Sequence, residues 1–392
     1  MVNLPNHLPD SIEFSPDEDF EQFIRRVPAK GAVYLLADAS DKPVQLLCVR
    51  NLRNSLKRRL GSEGNLGPTR QVNYREFVRC IHWRRVDSAF EADWIYCEAA
   101  RDIFPQCYKA MLGFRPAWFV HVDPNANFPR YTKTVDLSPR TGIFLGPLVD
   151  KHAAARWIEL IEDTFDLCRF HHILLESPHA KPCAYKEMGK CPAPCDGSIS
   201  MGQYRLMIEW SLSVILQPAP FIDAQTQRMQ QAASELRFES AQKIKAFIGR
   251  LSELGNGAFR QVRRLSDFRF IVLQRGPREK TAKVFLVTLG QIQEILGLIA
   301  EPLRSHELMA EITQAIEKES LSEETSTSEL GIDLIGVVAQ HLFNVKQNRD
   351  MFLPLEWFDE RSLIKAYRDL QKHKIPNESD DEEGLVKELQ SL

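Results

Sequence analysis

Four of the eight cysteines fall within 28 residues, and their spacing restricts the fold of that segment more than any other feature. They are Cys168, Cys183, Cys191 and Cys195, in the pattern C-x14-C-x7-C-x3-C. Four thiolates can hold zinc tetrahedrally or anchor a [4Fe–4S] cube, and His171 and His172 are alternative ligands. Buried free thiols are the ordinary alternative. The segment is rich in proline, glycine and lysine, as in KPC and CPAPC, so we predict a metal centre; the spacing alone does not choose between zinc and iron–sulfur.

The rest of the chain has the composition of an ordinary soluble protein, with 44% hydrophobic and 26% charged residues. The first twenty residues are acidic and broken by prolines, without the apolar run of a signal peptide. No window approaches the roughly 18 consecutive apolar residues of a membrane span. We therefore expect a cytoplasmic protein, in which clustered cysteines bind metal more often than they form disulfides.

Residue periodicity predicts an α+β chain of several domains. Residues 29–110 read as a small α/β module of order ββαβα, whose last helix begins at a capping box, Ser88 with Glu91. DFRFIVLQRG and TAKVFLVTLG predict a strand hairpin, and QIQEILGLIAEPLRSHELMAEITQAI predicts helix. The predicted segments are a lead-in (1–28), the α/β module (29–110), linker strands with a helix and the cysteines (111–215), a helical hairpin (218–253), a strand hairpin plus helices (260–315), an acidic linker (316–329), a helical segment (330–374) and a disordered acidic tail (375–392).

Positive charge is concentrated in the α/β module. Between Arg50 and Arg85 ten Lys/Arg face two glutamates, a local charge of about +8, although the whole chain carries only −3. Such a patch favours DNA binding, with Trp83 available to stack on a base. A solvated basic helix is the alternative. The candidate DNA-binding residues are Arg50, Arg53, Lys57, Arg58, Arg75 and Arg79.

The cysteine segment resembles that of the UvrC family of nucleotide excision repair, in which CR, PCAY and CPAPC recur in this order. The resemblance implies that Cys168, Cys183, Cys191 and Cys195 ligate a [4Fe–4S] cluster, with structural zinc as the alternative. Upstream, GAVYLL, PVQLLCVRNLRNSLKRRL and FEADWIYCEAARDIFPQCY resemble the GIY-YIG nuclease domain of that family. FPRYTKT and GIFLGPL resemble further UvrC segments. The likeness is to the N-terminal half of UvrC only.

The nuclease resemblance lacks most of the residues that the chemistry needs. Tyr34 is retained as the first motif tyrosine. The other positions of the family's site are occupied by Gln45, Leu47, Cys48, Ser55 and, where the metal-binding glutamate belongs, Tyr96. Glu91 and Glu98 lie on other faces of the same helix. Without the glutamate we expect no Mg²⁺ site and no cleavage, unless the alignment is wrong.

RMQQAASELRFESAQKIKAFIGRL resembles a UVR motif, the helical hairpin through which UvrC meets UvrB. The matching positions, and so the predicted partner-binding residues, are Met229, Ala233, Leu236, Phe238, Glu239 and Ala241. Lys243 to Lys245 replace the usual arginine-aspartate, which puts the polarity of the partner in doubt. An ordinary helical pair packed on its own domain is the alternative.

These features together predict a shortened UvrC-like repair protein that binds DNA and a UvrB-like partner, without GIY-YIG cleavage. Two alternatives stay open. One is an active single-incision GIY-YIG endonuclease with a rebuilt site. The other is a redox-responsive iron–sulfur protein that binds DNA. A zinc-stabilised scaffold without a repair role is a third, weaker reading.

Overall fold

The computed structural model describes residues 7–61, 73–138, 140–301, 303–320, 329–343 and 351–372. The chain divides into two compact units. The first joins Met1–Arg115 with Arg269–Leu392, and the second is Pro116–Phe268. No helix within the described ranges is both long enough and apolar enough to cross a membrane.

The N-terminal part of the first unit is a mixed α/β module. Its elements are β1 (Asp10–Glu13), α1 (Phe20–Arg26), β2 (Ala32–Ala37), β3 (Pro43–Val49), α2 (Leu52–Leu60), α3 (Tyr74–Phe77), β4 (Cys80–Arg85), α4 (Ala89–Ile103) and α5 (Tyr108–Met111). The strands form an antiparallel sheet of order β1-β4-β2-β3. The predicted strands and helices of this module are present. Residues 1–28 were predicted as a mostly irregular lead-in, and this prediction is wrong where β1 and α1 form. Strand β1 is missed because its pairing partner lies about seventy residues downstream.

Helix α4 begins as predicted, but without the reciprocal capping box. The Ser88 hydroxyl accepts a hydrogen bond from the Glu91 amide at 3.1 Å. The Glu91 carboxylate does not return to Ser88; it accepts from the Asp87 amide at 2.9 Å. The helix therefore has a serine N-cap, and the glutamate carboxylate is used elsewhere.

The C-terminal part of the first unit is a second antiparallel sheet with helices. Its elements are β9 (Phe270–Arg275), β10 (Thr281–Thr288), β11 (Gln291–Ala300), α12 (Ser305–Ser320), α13 (Glu329–Phe343), β12 (Met351–Pro354) and α14 (Glu360–Lys372), with sheet order β11-β10-β9-β12. The predicted β9–β10 hairpin is confirmed. The helix prediction is wrong for residues 291–300 and for residues 351–354.

Strand β11 forms because a tight turn returns the chain onto β10. Thr288 pairs with Gln291, which leaves two residues between the strands. The second of them, Gly290, has φ of +79°, a conformation that side chains rarely adopt. Helix α12 extends to Ser320, so the predicted acidic linker begins later than 316; residues 321–328 and the predicted tail beyond 372 lie outside the described residues.

The second unit places a small sheet against a helical layer. Its elements are β5 (Trp118–Val122), β6 (Thr132–Thr134), β7 (Ile143–Leu148), α6 (Lys151–Phe165), α7 (His171–Leu174), α8 (Ala184–Glu187), α9 (Met201–Leu216), α10 (Pro218–Ser234), α11 (Phe238–Glu253) and β8 (Arg263–Arg264), with sheet order β6-β5-β7-β8. Trp157 of α6 lies fully buried at the centre of the core. Its indole N–H donates to the Leu254 carbonyl at 3.0 Å, which fixes α6 to the end of α11.

Candidate functional site

Tyr34, the first motif tyrosine of the nuclease resemblance, is a core residue. It is fully buried in β2, and its hydroxyl lies 2.8 Å from the Ser55 hydroxyl of α2. Burial raises the pKa of Tyr34, while the charge of Arg59 opposes the rise. Ser55, which the resemblance aligns with the family's arginine, thus ties Tyr34 to α2. A phenol without solvent access cannot contact a DNA strand.

The other positions named by the nuclease resemblance divide between two faces of the sheet. Leu47 pairs opposite Tyr34 in the β2–β3 register, so the two side chains share one face. Cys48, the next residue of β3, points to the other face. There, burial raises the pKa of the Cys48 thiol to about 12, with the Asp93 carboxylate of α4 nearby. Burial also raises the pKa of Tyr96 to about 12, and Cys48 is one of its neighbours. The structure therefore brings Cys48 and Tyr96 together, but not with Tyr34.

Glu91, the first carboxylate of α4, lies in a buried polar network with the C-terminal sheet. Its side chain is only 1% exposed, and the Lys283 ammonium of β10 lies 2.8 Å from one of its oxygens. The Gln274 amide of β9 donates to the other oxygen at 2.8 Å. Asp87 also lies 2.8 Å from Lys283. Burial alone would lower the pKa of Lys283, but the two carboxylates outweigh it and hold the pKa above its ordinary value.

The two remaining carboxylates on the middle turns of α4 also have basic partners. Asp93 lies 2.9 Å from Nε2 of His341 in α13. Glu98 lies 3.8 Å from Nδ1 of His7, and burial raises its pKa. Sequence reasoning weighed Glu91 and Glu98 but missed Asp93. Its spacing of three residues before Tyr96 places it on the same helical face, which is the signal that could have found it.

The predicted DNA-binding residues separate into two groups. The guanidinium groups of Arg53, Arg75 and Arg79 donate to backbone carbonyl oxygens at 2.6 to 3.0 Å, so they hold the module together. Arg50, Lys57 and Arg58 are exposed.

Trp83 does not lie on the basic surface. The prediction that it stacks on a base is wrong, because the side chain is 8% exposed and belongs to the hydrophobic core beneath α2. An aromatic residue beside arginines in a strand can be a core residue as readily as a residue that binds nucleic acid.

The four clustered cysteines of the second unit converge. Cys168, Cys191 and Cys195 are buried and Cys183 is half-buried. The Cys168 thiol donates to Cys191, which lowers the pKa of Cys191 to about 6 and raises that of Cys168. Cys195 lies within electrostatic range of both Cys191 and Cys183. Four thiols gathered in this way are candidate ligands for a metal centre.

The shell around the thiols is built from the same segment. Tyr204 of α9 accepts the amide of Cys168 at 3.1 Å, and Ala180 donates to the Cys195 carbonyl at 3.0 Å. Arg169 donates to the Lys190 carbonyl at 3.2 Å. The guanidinium carbon of Arg169 also lies 4.2 Å from the ring centroid of Tyr185. His171 hydrogen-bonds to backbone at Phe128, and burial lowers its pKa.

The spacing of the thiols does not choose between a single ion and a cluster. A zinc ion about 2.3 Å from each sulfur brings four thiolates to about 3.8 Å from one another. Within the described part of the chain, no three of these sulfurs all lie within 4.8 Å of one another. A [4Fe–4S] cube binds each thiolate to a different iron at a different corner, so it needs wider spacing. The hydrogen-bonded pair of Cys168 and Cys191 is closer than a cube requires, whereas the other thiols are too widely spaced for a single ion, so neither group is selected.

The helical hairpin of the UVR resemblance is formed by α10 and α11. The chain reverses through Leu236, whose φ is +58°, and the Arg237 amide donates to the Ala232 carbonyl at 2.8 Å. Leu236 is 73% exposed and Phe238 is 65% exposed, at the tip. Of the predicted set, Met229, Ala233 and Ala241 are half-buried between the helices, and Glu239 is exposed.

The C-terminal half of α11 packs on its own unit. The rings of Phe247 and Phe165 of α6 lie 6.3 Å apart, and Leu251 is buried in the core. Only the tip of the hairpin therefore presents large apolar side chains without cover from its own unit.

Comparison with known proteins finds a match to a family model in the middle of the chain. Residues 117–213, which run from β5 through all four cysteines into α9, match the family model described as UvrC/Cho excinuclease, middle domain. No solved structure gives a significant match.

Curated relatives are similar to a longer part of the chain than this domain. The chain is 24% identical over 281 residues to the UvrABC system protein C of Clostridium tetani, covering 70% of this chain and 44% of that protein. It is 23% identical over 302 residues to that of a Cyanothece species, covering 75% and 47%. The similarity thus spans less than half the length of these relatives. The matched middle domain and alignments of this extent support a UvrC-family protein.

Proposed function

We propose that this chain acts in nucleotide excision repair by binding DNA and a UvrB-like partner, and that its nuclease-like module does not cleave DNA. The state of α4 is the observation that carries the proposal. The helix has Tyr96 where an acid would hold a metal, and Glu91, Asp93 and Glu98 each lie beside a basic side chain.

A divalent cation needs carboxylate oxygens that are anionic, accessible and able to share its hydration shell. Glu91 fails this requirement because it is 1% exposed and contacts Lys283. Asp93 points toward His341, and Tyr96 offers only a phenol with a high pKa. Tyr34 adds nothing, because its hydroxyl is buried against Ser55 on the opposite face.

An incision assay tests this proposal. Purified protein, with UvrB and a lesion-bearing duplex in Mg²⁺ or Mn²⁺, should leave both strands intact, and Tyr34→Phe should behave as the wild type does. Incision that EDTA abolishes and Tyr34→Phe removes would instead establish a single-incision endonuclease with a rebuilt site.

DNA binding is proposed to use the exposed basic residues of α2. Lys57 and Arg58 lie one after the other on the solvent side, where both can reach phosphate. Each lost phosphate contact should lower the salt dependence of binding by about one unit of slope. We expect this for Lys57→Gln and Arg58→Gln but not for Arg304→Gln, a residue that is 77% exposed on the C-terminal part of the unit. Equal slopes in all three variants would show that Lys57 and Arg58 do not contact DNA.

The partner site is proposed at the hairpin tip. Two large apolar side chains, Leu236 and Phe238, are exposed beside the charged pair Glu235 and Arg237, so an apolar surface with a polar rim is available. Leu236→Ser and Phe238→Ser should each weaken UvrB binding about tenfold or more. Leu206→Ser, at a position of α9 that is 63% exposed, is the matched control. A loss that Leu206→Ser shares would contradict the tip as the docking site.

The cofactor is proposed to be a [4Fe–4S] cluster held by the four clustered cysteines, with structural zinc as the alternative. Bound there, it would supply a rigid crosslink among four parts of a short loop; the residues around it orient the thiols. Metal analysis of anaerobically purified protein should give about four irons per chain together with visible absorption. One zinc and a colourless protein would establish the alternative.

A further inference from the structure

A second cluster of metal-ligating side chains lies away from the four-cysteine segment, at one end of the nuclease-like sheet. Asp41, Cys80 and His82 each offer a ligand atom, and the three atoms all lie within 4.8 Å of one another. Nε2 of His82 is 2.8 Å from an oxygen of Asp41. Of the residues with described coordinates, these alone form such a group of three.

The fold brings the three together by strand geometry. Cys80 and His82 are two residues apart in β4, so both side chains project from the same face of the sheet. Cys80 pairs opposite Ala37, the last residue of β2, so the turn after β2 passes close to the thiol. Asp41 sits in that turn.

The turn is built to hold Asp41 in a fixed position. The Asp38 carboxylate accepts the amides of Ser40 at 2.8 Å and Lys42 at 3.0 Å. Asp41 has φ of +61°, a left-handed conformation that aspartate tolerates better than most residues. Its amide donates to the Asp38 carbonyl at 3.1 Å. These hydrogen bonds fix the backbone at Asp41, and the Asp41 carboxylate lies beside His82 of β4.

A fourth donor lies on the neighbouring edge strand. Glu13 of β1 pairs directly opposite Cys80, so the two side chains share a face. Burial raises the pKa of Cys80, and the carboxylates of Asp41 and Glu13 raise it further. Two acids around one thiol disfavour a thiolate by themselves, whereas a bound divalent cation reverses that preference.

We propose that Asp41, Cys80 and His82 form a binding site for one Zn²⁺ ion, with Glu13 as the fourth ligand. The mixture of sulfur, nitrogen and oxygen donors suits this borderline-soft ion and not Mg²⁺ or Ca²⁺, which take oxygen ligands. The site is reachable from solvent, since the Asp41 side chain is 53% exposed. The metal-free alternative is an ion pair between His82 and Asp41 with the Cys80 thiol hydrogen-bonded to the same carboxylate. That alternative predicts no effect of Zn²⁺ on Cys80, which makes the proposal testable.

Residue-resolved alkylation separates this site from the other cysteines without any mutation. The full chain, treated with chelating resin, is exposed to a thiol alkylator with and without one equivalent of Zn²⁺, and each cysteine is followed by peptide mass spectrometry. Zn²⁺ should slow the modification of Cys80 about tenfold or more and leave the exposed Cys107 unchanged. Equal rates at Cys80 with and without the metal would overturn the proposal.

Direct titration gives the stoichiometry. Calorimetry with Zn²⁺, and absorption with Co²⁺ as the probe for thiolate coordination, should find one equivalent fewer in Cys80→Ser and in His82→Gln than in the wild type. Glu13→Gln should keep the site and weaken it by roughly 10-fold. Cys107→Ser is the control for the loss of a thiol, and circular dichroism checks that each variant is folded. Unchanged stoichiometry and affinity in folded Cys80→Ser and His82→Gln would refute the site.

Discussion

Replacing Lys283 with methionine is the sharpest test of the contact between α4 and the C-terminal sheet. The ammonium lies 2.8 Å from both Glu91 and Asp87, and its side chain is 13% exposed. Breaking a buried pair from one side costs about 3 to 5 kcal/mol, because a charge remains buried without its partner. Glu91 keeps hydrogen bonds from the Asp87 amide and from Gln274, so we expect the lower end, about 3 kcal/mol.

Hydrogen exchange measures this loss locally, which matters because a chain of two units need not unfold in one step. A loss of about 3 kcal/mol corresponds to a roughly 100-fold faster exchange of the slowest amides in α4 and β10. Peptides of α6, in the other unit, serve as the internal reference. Lys372→Met removes an equally short pair, 2.6 Å from Asp369, but Lys372 is 74% exposed, so that variant should change exchange about twofold or less.

A second variant separates charge burial from simple packing. Glu91→Gln together with Lys283→Met removes both charges, so the double variant should be less destabilised than the sum of the single ones. If Lys283→Met exchanges no faster than Lys372→Met, or if the double variant is simply additive, the network does not hold α4 to the sheet and the reasoning above fails.

Three further predictions concern the second unit. Burial raises the pKa of Glu162 to about 7 from 4.5, so the folded state keeps a proton that the unfolded state releases between those values, and stability falls as pH rises through this window. By urea titration, Glu162→Gln should therefore have a free energy of unfolding about 2 kcal/mol above that of the wild type at pH 8, and little difference at pH 5. Gly146→Ala would put a Cβ 2.5 Å from a phenylalanine ring and should cost about 1 to 3 kcal/mol, whereas Gly249→Ala meets open space in a helix and should stabilise slightly in calorimetry. Trp157→Phe loses the bond to the Leu254 carbonyl and should cost about 1 to 2 kcal/mol by the same calorimetry, and an unchanged melting temperature would contradict that role.

The elements that were predicted correctly are those whose signal is local. Helix α4 carries its own serine cap and an apolar face, and α6, β2 and β3 are similarly self-contained. The elements that were missed depend on distant partners. The sequence of β11 has apolar residues at spacings that fit a helix, and only the turn at Gly290 and pairing with β10 make it a strand. Strand β12 pairs with β9 across about eighty residues.

The contacts of the candidate site were out of reach for the same reason. The residue types at Tyr34, Ser55 and Tyr96 could be read from the resemblance, which predicted a site without its acid. The partner of Glu91 is 192 residues away, and no local pattern indicates that Lys283 and Glu91 meet. The sequence predicts that the acid is absent from the site, and only the tertiary structure shows that Lys283 and Gln274 contact Glu91.

Metal binding and helix packing place opposite demands on a carboxylate. A nuclease helix must keep its carboxylate in water, without a protein cation, so that a metal ion and its hydration shell can take that place. A structural helix needs the reverse, because a buried carboxylate is stable only when it is paired and hydrogen-bonded. In this chain, Lys283 and Gln274 satisfy Glu91, and His341 contacts Asp93. The polar contacts that fix α4 to the C-terminal sheet and to α13 therefore use Glu91 and Asp93, so these carboxylates serve the stability of the first unit.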